Sequence, residues 1–218
     1  MDIWNRHYTR DESALEIPDE NVVRYFSRVK PPGEGKKISV LDLGCGSGRH
    51  GIYLLKKGFR VTFQDYAENS LRMVENRLRD GDNRMPGVPG ELKDYLVNGS
   101  AENLPFAAGC FDYVLAWGIL HYNTDPVISS ILGEILRVLV SGGKFIGTLR
   151  GESDTHLRVS GGEAGCPAIS GSYVKLFSAA DAQALFSGFS RKNLGYMERR
   201  PLGDLTTRIC HWIIEAEK

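Results

Sequence analysis

Apolar residues along this chain follow two periods. Short runs are continuously apolar or alternate with polar residues, as in strands. Longer runs repeat at three and four residues, as in helices. Residues 18–29, PDENVVRYFSRV, put Val22, Tyr25, Phe26 and Val29 on one helical face behind a proline and acids. RVKPPGEGKK predicts a loop, and ISVLDL (38–43) a strand. A helix over 49–57 stopped by Gly58, a strand FRVTFQD (59–65) and a helix AENSLRMVENRLRDG with Leu71, Val74 and Leu78 in phase follow. Residues 81–94, rich in Gly, Pro and Asn, predict a surface loop, and DYLVNGS a short strand. Then come a strand CFDYVLAWG (110–118), a helix over 127–140 with Ile128, Ile131, Leu132, Ile135 and Leu139 inward, a stop at SGG, and a strand KFIGTLR (144–150).

Strands alternating with helices specify a parallel sheet wound by right-handed crossovers. The pattern changes at 151–172, which is glycine-containing and has no period. A short helix near 178–187 and strands 189–199 and 206–216 complete the chain. The link between those strands is too short for a helical crossover, so they are expected to pair as an antiparallel hairpin. The expectation is a single α/β domain with a mostly parallel sheet, a C-terminal antiparallel hairpin and helices on both faces. Its parts are an N-terminal lid or helix at 1–35, a ligand-binding core at 36–150, and an acceptor loop with the hairpin at 151–218.

Composition narrows the class of protein. At 218 residues, 42% hydrophobic and 25% charged, the chain is long enough and apolar enough to bury a core. Lysine plus arginine and aspartate plus glutamate are each 27, so bulk charge indicates no nucleic-acid or anionic-membrane partner. The polar start carries no signal-peptide core, and no apolar run reaches the roughly 18 residues of a spanning helix. Four scattered cysteines form no C-x-x-C, and no metal site is expected. A cytoplasmic protein, monomeric or homodimeric, is the expectation.

The chemistry centres on LDLGCGSGRHG (41–51), a glycine turn between strand and helix, the place where α/β proteins grip nucleotides. Gly46, Gly48 and Gly51 spell G-x-G-x-x-G, which fits an NAD(P) enzyme. Asp42 argues otherwise: a carboxylate there repels a pyrophosphate and suits a cationic ligand. Asp65 ends the second strand, where a carboxylate can accept both hydroxyls of a ribose; it can equally cap the helix that follows. Tyr66 beside it can cover an adenine face.

VLDLGCGSGRHG, the strand end at Asp65, NGSAENLPFAAGCFDYVLAWGILHY and EILRVLVSGGKF, in that order, resemble the class I S-adenosylmethionine-dependent methyltransferases. The resemblance covers about residues 38–150, and the terminal hairpin suits the family's last two strands. It implies a Rossmann-like, seven-stranded sheet with S-adenosylmethionine over the carboxyl ends of the first strands. It also implies backbone contacts from Gly44, Cys45 and Gly46 to the methionine part, with Gly48 closing the loop, and Asp65 on the ribose. Ala101 and Glu102 would frame the adenine, and Ala116–Trp117 would touch the amino-acid part. Ser100 stands where many relatives carry aspartate, and its hydroxyl can still accept one hydrogen bond.

The activity so implied is methyl transfer to a small-molecule acceptor by in-line attack, releasing S-adenosylhomocysteine. Alternatives are a non-catalytic S-adenosylmethionine-binding regulator and an NAD(P)-dependent oxidoreductase. His121, in WGILHY beyond the fourth strand, is the candidate general base, set against a packing role; Tyr122 can shape the same pocket. Trp4, His7, Tyr8 and Arg10 make the N-terminal segment a candidate lid, with Tyr8 among the cofactor contacts. The long loop 151–172 is the candidate acceptor loop, with Arg150, His156, Arg158 and Tyr173 as candidate polar contacts.

Overall fold

The computed structural model describes residues 3–30, 37–80 and 95–218. The loops expected at 31–36 and 81–94 lie outside the described residues. Seven strands lie among the described residues: β1 (Ser39–Leu43), β2 (Arg60–Asp65), β3 (Leu96–Asn98), β4 (Phe111–Ala116), β5 (Leu139–Arg150), β6 (Arg191–Arg199) and β7 (Ile209–Glu217). They form one sheet in the order β3-β2-β1-β4-β5-β7-β6. The first five strands run parallel, and β7 runs antiparallel to both β5 and β6.

Alternation along β1 shows why both faces are buried. Leu41 and Leu43 enter the core under helices α5 (Asp125–Val138) and α6 (Ala179–Leu185). Val40 enters the opposite core with α2 (Glu20–Phe26), α3 (Arg49–Lys56) and α4 (Glu68–Asp80). A parallel sheet covered on both sides needs apolar residues at both parities, which is why ISVLDL reads as an almost continuous apolar run. Asp42, on the α3 face, interrupts it. α5 presents Ile128, Ile131, Leu132 and Ile135 to the sheet as its spacing predicts, with Pro126 in its first turn; Val138 completes the stripe, and Leu139, expected on the same face, opens β5 instead.

Two boundaries differ from the sequence reading. No separate loop divides α5 from the fifth strand. β5 begins at Leu139, paired with Phe111, and the register jumps to Lys144 opposite Tyr113. The SGG step is therefore a bulge within the strand, with Gly142 at a φ of 72°. Residues 151–172 are also more than a loop. Leu157, Ala164 and Ile169 join Val174 in a small buried cluster against which Trp4 and Tyr122 pack.

Strand order reverses at β1, with β2 on one side and β4 on the other. That switch point opens a crevice at the carboxyl ends of the strands. The glycine turn after β1 and the turn after β4 both end there.

α3 approaches the sheet closely at Gly51, where an added Cβ would lie 2.2 Å from Phe63 and 2.7 Å from Asp42 Oδ2. In α5, Gly133 faces open space. Gly51→Ala should lower the unfolding free energy in urea by about 1–3 kcal/mol through overpacking. Gly133→Ala should raise it by about 0.5–1 kcal/mol through helix propensity.

Candidate active site

β1 delivers the glycine turn into the crevice, and the turn is held there by carboxylates rather than by side chains of its own. Asp65, at the end of β2, accepts the Gly46 N–H at Oδ2 and the Ala67 N–H at Oδ1, both at 2.9 Å. One carboxylate thus ties the turn after β1 to the start of α4, as the capping reading of Asp65 expects. The Ser70 hydroxyl and the Tyr66 N–H also act on this carboxylate. Asp65 is 6% exposed. Burial raises its pKa against the pull of the Ala67 and Gly46 N–H groups.

Gly46 has a φ of 54°, and a Cβ there would lie 2.5 Å from Tyr8 Oη. The turn therefore needs glycine for both conformation and clearance. Cys45 is buried beneath it, its Sγ 3.8 Å from Ser70 Oγ, and Ser70 in turn donates to the Gly46 carbonyl. Burial pushes the Cys45 thiol up, so it is an unreactive packing group.

Asp42 does not reach the crevice. It is 1% exposed, and its Oδ2 accepts the Gly51 N–H at 2.9 Å, holding the first turn of α3. Burial, with the Gly51 N–H opposing and the charge of Asp65 adding, pushes its carboxyl up to about 7.

A cavity of about 490 Å³ opens between the turns. Of the expected contacts, Tyr8, Gly44, Asp65, Tyr66, Ser100, Ala101 and Glu102 line it. Asp42, Cys45, Gly46, Gly48, Trp117 and His121 are not on its wall. Gly46 stands behind Tyr8, and Gly48 packs on Val74. Trp117 lies on the α3 face beside His50, with ring centroids 5.8 Å apart. The Ser100 hydroxyl accepts the Glu102 N–H. The turn at 100–106 is anchored from α5, where Glu134 accepts the Leu104 N–H and Arg137 donates to the Leu104 and Phe106 carbonyls. Leu104 and Phe106 themselves pack in the α5-side core.

Trp4, Gln64, Gly99, Gly118, Ile119, Tyr122, Asn123, Val127 and Ile131 complete the wall. The apolar members Ile119, Val127 and Ile131 carry no sequence signal that separates them from core. Gln64 does: an amide inside an otherwise apolar strand end, whose Nε2 donates to the Gly99 carbonyl while its buried Oε1 has no partner.

His121 and Tyr122 share one short turn (Leu120–Tyr122), yet only Tyr122 faces the cavity. His121 is 1% exposed, and burial together with the charge of Arg150 lowers its pKa. The N-terminal segment covers the glycine turn. Arg77 donates to the carbonyls of Ala14, Leu15 and Ser47, and Asn69 donates to the Asn5 carbonyl. This brings Trp4 and Tyr8 onto the cavity wall, whereas His7 and Arg10 are not on it. Of the candidate acceptor contacts, Arg150 is buried and His156, Arg158 and Tyr173 are exposed away from the cavity wall.

Residues 40–143 match the methyltransferase domain family. Over that stretch the chain is a methyltransferase domain. An uncharacterized chloroplastic methyltransferase of Arabidopsis thaliana is 33% identical over 147 residues, 66% of this chain and 39% of that protein. A demethylmenaquinone methyltransferase of Clavibacter sepedonicus is 30% identical over 140 residues, 64% of this chain and 51% of that protein. The methyltransferase domain thus spans about half of these relatives or less. A crystal structure of a SAM-dependent methyltransferase from Methanosarcina mazei shares the fold, with a TM-score of 0.67 at 23% identity, covering 93% of this chain and 98% of that one. Among the described residues no helix is long and apolar enough to cross a membrane.

Asp42 holds its proton more tightly folded than unfolded. Through this group, stability is fully present below the unfolded pKa of about 4 and is lost as pH rises through about 7. Asp42→Asn keeps an oxygen for the Gly51 N–H and removes the titration. Urea unfolding across that window should give a flatter pH dependence than the wild type, and an unchanged slope contradicts the assignment.

Proposed function

We propose that this methyltransferase domain binds S-adenosylmethionine in the cavity and transfers its methyl group to a small, largely apolar acceptor. The observation that carries the reading is the Asp65 carboxylate, which lines the cavity while it holds the glycine turn at Gly46 and the start of α4 at Ala67. The residues suit the cofactor. Gly44 has a φ of 63°, and a Cβ there would lie 2.7 Å from Ile119, so backbone meets the cavity where a side chain would block it. Asp65 would take the ribose hydroxyls, Tyr66 and the Ser100–Glu102 turn would frame the adenine, and Gly44 would face the methionine part. The unpartnered Gln64 Oε1 adds an acceptor for a donor group on the ligand.

When bound, the cofactor supplies a methyl group already activated on a sulfonium. The protein's part is to bind, align and exclude water. Trp4, Ile119, Tyr122, Val127 and Ile131 form an apolar end of the cavity suited to an acceptor ring. In-line alignment there can supply about 7–11 kcal/mol in favourable cases. Trp4 and Tyr8, on the strap held by Arg77, would close over the bound pair as a lid. Residues 151–172 would bear on acceptor choice through their packing against Trp4 and Tyr122. His121, buried off the wall with its basicity reduced, suits a structural or acceptor-orienting role better than that of proton acceptor. A small-molecule acceptor is consistent with the demethylmenaquinone methyltransferase among the relatives.

Calorimetry with S-adenosylhomocysteine tests the reading. Asp65→Ala should weaken binding about tenfold or more, about 1.4 kcal/mol per decade, and leave the protein folded. Equal affinity in wild type and variant overturns the ribose assignment.

A further inference from the structure

Behind Tyr122 lies a buried polar cluster that the cofactor reading does not use. Register pairs Arg150 on β5 with His211 on β7, so both project from the same face. The Arg150 guanidinium is fixed by an ion pair to Asp154 at 2.7 Å and lies 2.8 Å, through Nη1, from His211 Nε2. Asp154 is itself held by the Cys210 and Leu157 N–H groups. A guanidinium only donates, so His211 Nε2 accepts. The neutral ring then carries its proton on Nδ1, and that Nδ1 is buried without a partner.

His121 presents the complementary case. Its ring hydrogen-bonds the Thr148 backbone, and its Nδ1 is buried and unpartnered. The carbonyl can only accept, so Nε2 carries the proton and Nδ1 offers a lone pair. Both rings stay neutral at physiological pH: burial and the charge of Arg150 act on both, lowering His211 to about 4. The rings are 6.3 Å apart, near enough for one oxygen to bridge them. One buried donor and one buried acceptor therefore sit on neighbouring rings.

Resting on the methyl-transfer reading above, we propose that His121 and His211 form a niche that binds a hydroxyl group carried on an apolar ring of the methyl acceptor. A hydroxyl satisfies both sites at once, donating to His121 Nδ1 and accepting from His211 Nδ1–H. A carboxylate would leave the His121 lone pair unmet, and an ammonium would leave the His211 N–H unmet and meet the charge of Arg150. The niche adjoins the apolar end of the cavity. The Tyr122 ring, on the cavity wall, has its centroid 4.3 Å from that of His121 and 4.7 Å from that of Trp4, so a shift of this aromatic pair would open the histidines to the cavity. The two histidines orient the acceptor; they are not its proton sink.

Long-range ¹H–¹⁵N spectra of the histidine rings, with phenol and toluene as matched probes on the protein loaded with S-adenosylhomocysteine, test the niche. The proposal expects His211 protonated at Nδ1 and His121 at Nε2. It expects phenol to shift both Nδ1 resonances and to bind about tenfold or more tightly than toluene. His121→Phe and His211→Phe should each abolish the preference while S-adenosylhomocysteine affinity holds. His121→Asn and His211→Asn, which return an acceptor and a donor near the Nδ1 positions, should restore part of it. Equal binding of phenol and toluene, a preference that survives in both phenylalanine variants, or resonances that phenol leaves unmoved because a resident water holds the niche, would each overturn it. If the wild type does not take S-adenosylhomocysteine, the methyl-transfer reading fails, while the probe comparison on the unloaded protein still decides the niche.

Discussion

The site depends on a single carboxylate placed between two chain turns. Asp65 accepts the Gly46 N–H from the turn after β1 and the Ala67 N–H ahead of α4. Burying a charged group costs several kcal/mol unless hydrogen bonds meet it, and here two backbone donors do so. Those bonds also set the path of the glycine turn. The Gly46 backbone must come close to Asp65 on one side and to Tyr8 on the other, which leaves no volume for a side chain. The carboxylate that holds the loop is thus also part of the cavity wall.

A second layer of hydrogen bonds secures the N-terminal segment, through its backbone carbonyls. Arg77 gathers the carbonyls of Ala14, Leu15 and Ser47, and the Ser47 hydroxyl donates to Leu15 as well. Arg49 adds the Ile17 carbonyl. Because the donors come from α3, α4 and the glycine turn, the strap is fastened to the elements it covers. Trp4 and Tyr8 thereby sit over the crevice even though α1 (Ile3–His7) has no buried residue of its own. The same logic orders residues 151–172, whose small apolar cluster meets Trp4 and Tyr122.

Much of this was legible in the sequence, for definite reasons. Apolar period and glycine punctuation located the seven strands, and the short link near 200–208 required an antiparallel pair. Asp65 was legible because an acid closing the second strand of such a unit faces the switch point. Asp42 was legible as unusual but not as what it is. Sequence places it in a strand without saying that α3 approaches so closely that its Gly51 N–H consumes the carboxylate. His121 and Tyr122 show the limit most clearly: adjacent in one tight turn, they point to opposite environments, and no periodicity encodes that choice. Gly-rich spacing hid the small core inside 151–172, and the SGG signal that ends a helix elsewhere here makes a bulge within β5.

The cavity beside Asp65 is proposed as an S-adenosyl site. A crystal structure of the complex with S-adenosylhomocysteine tests it most directly. The expected complex has ribose hydroxyls on Asp65, adenine between Tyr66 and the Ser100–Glu102 turn, and the thioether facing the apolar end at Tyr122. Ligand density elsewhere, or a ribose that leaves Asp65 untouched, would contradict it.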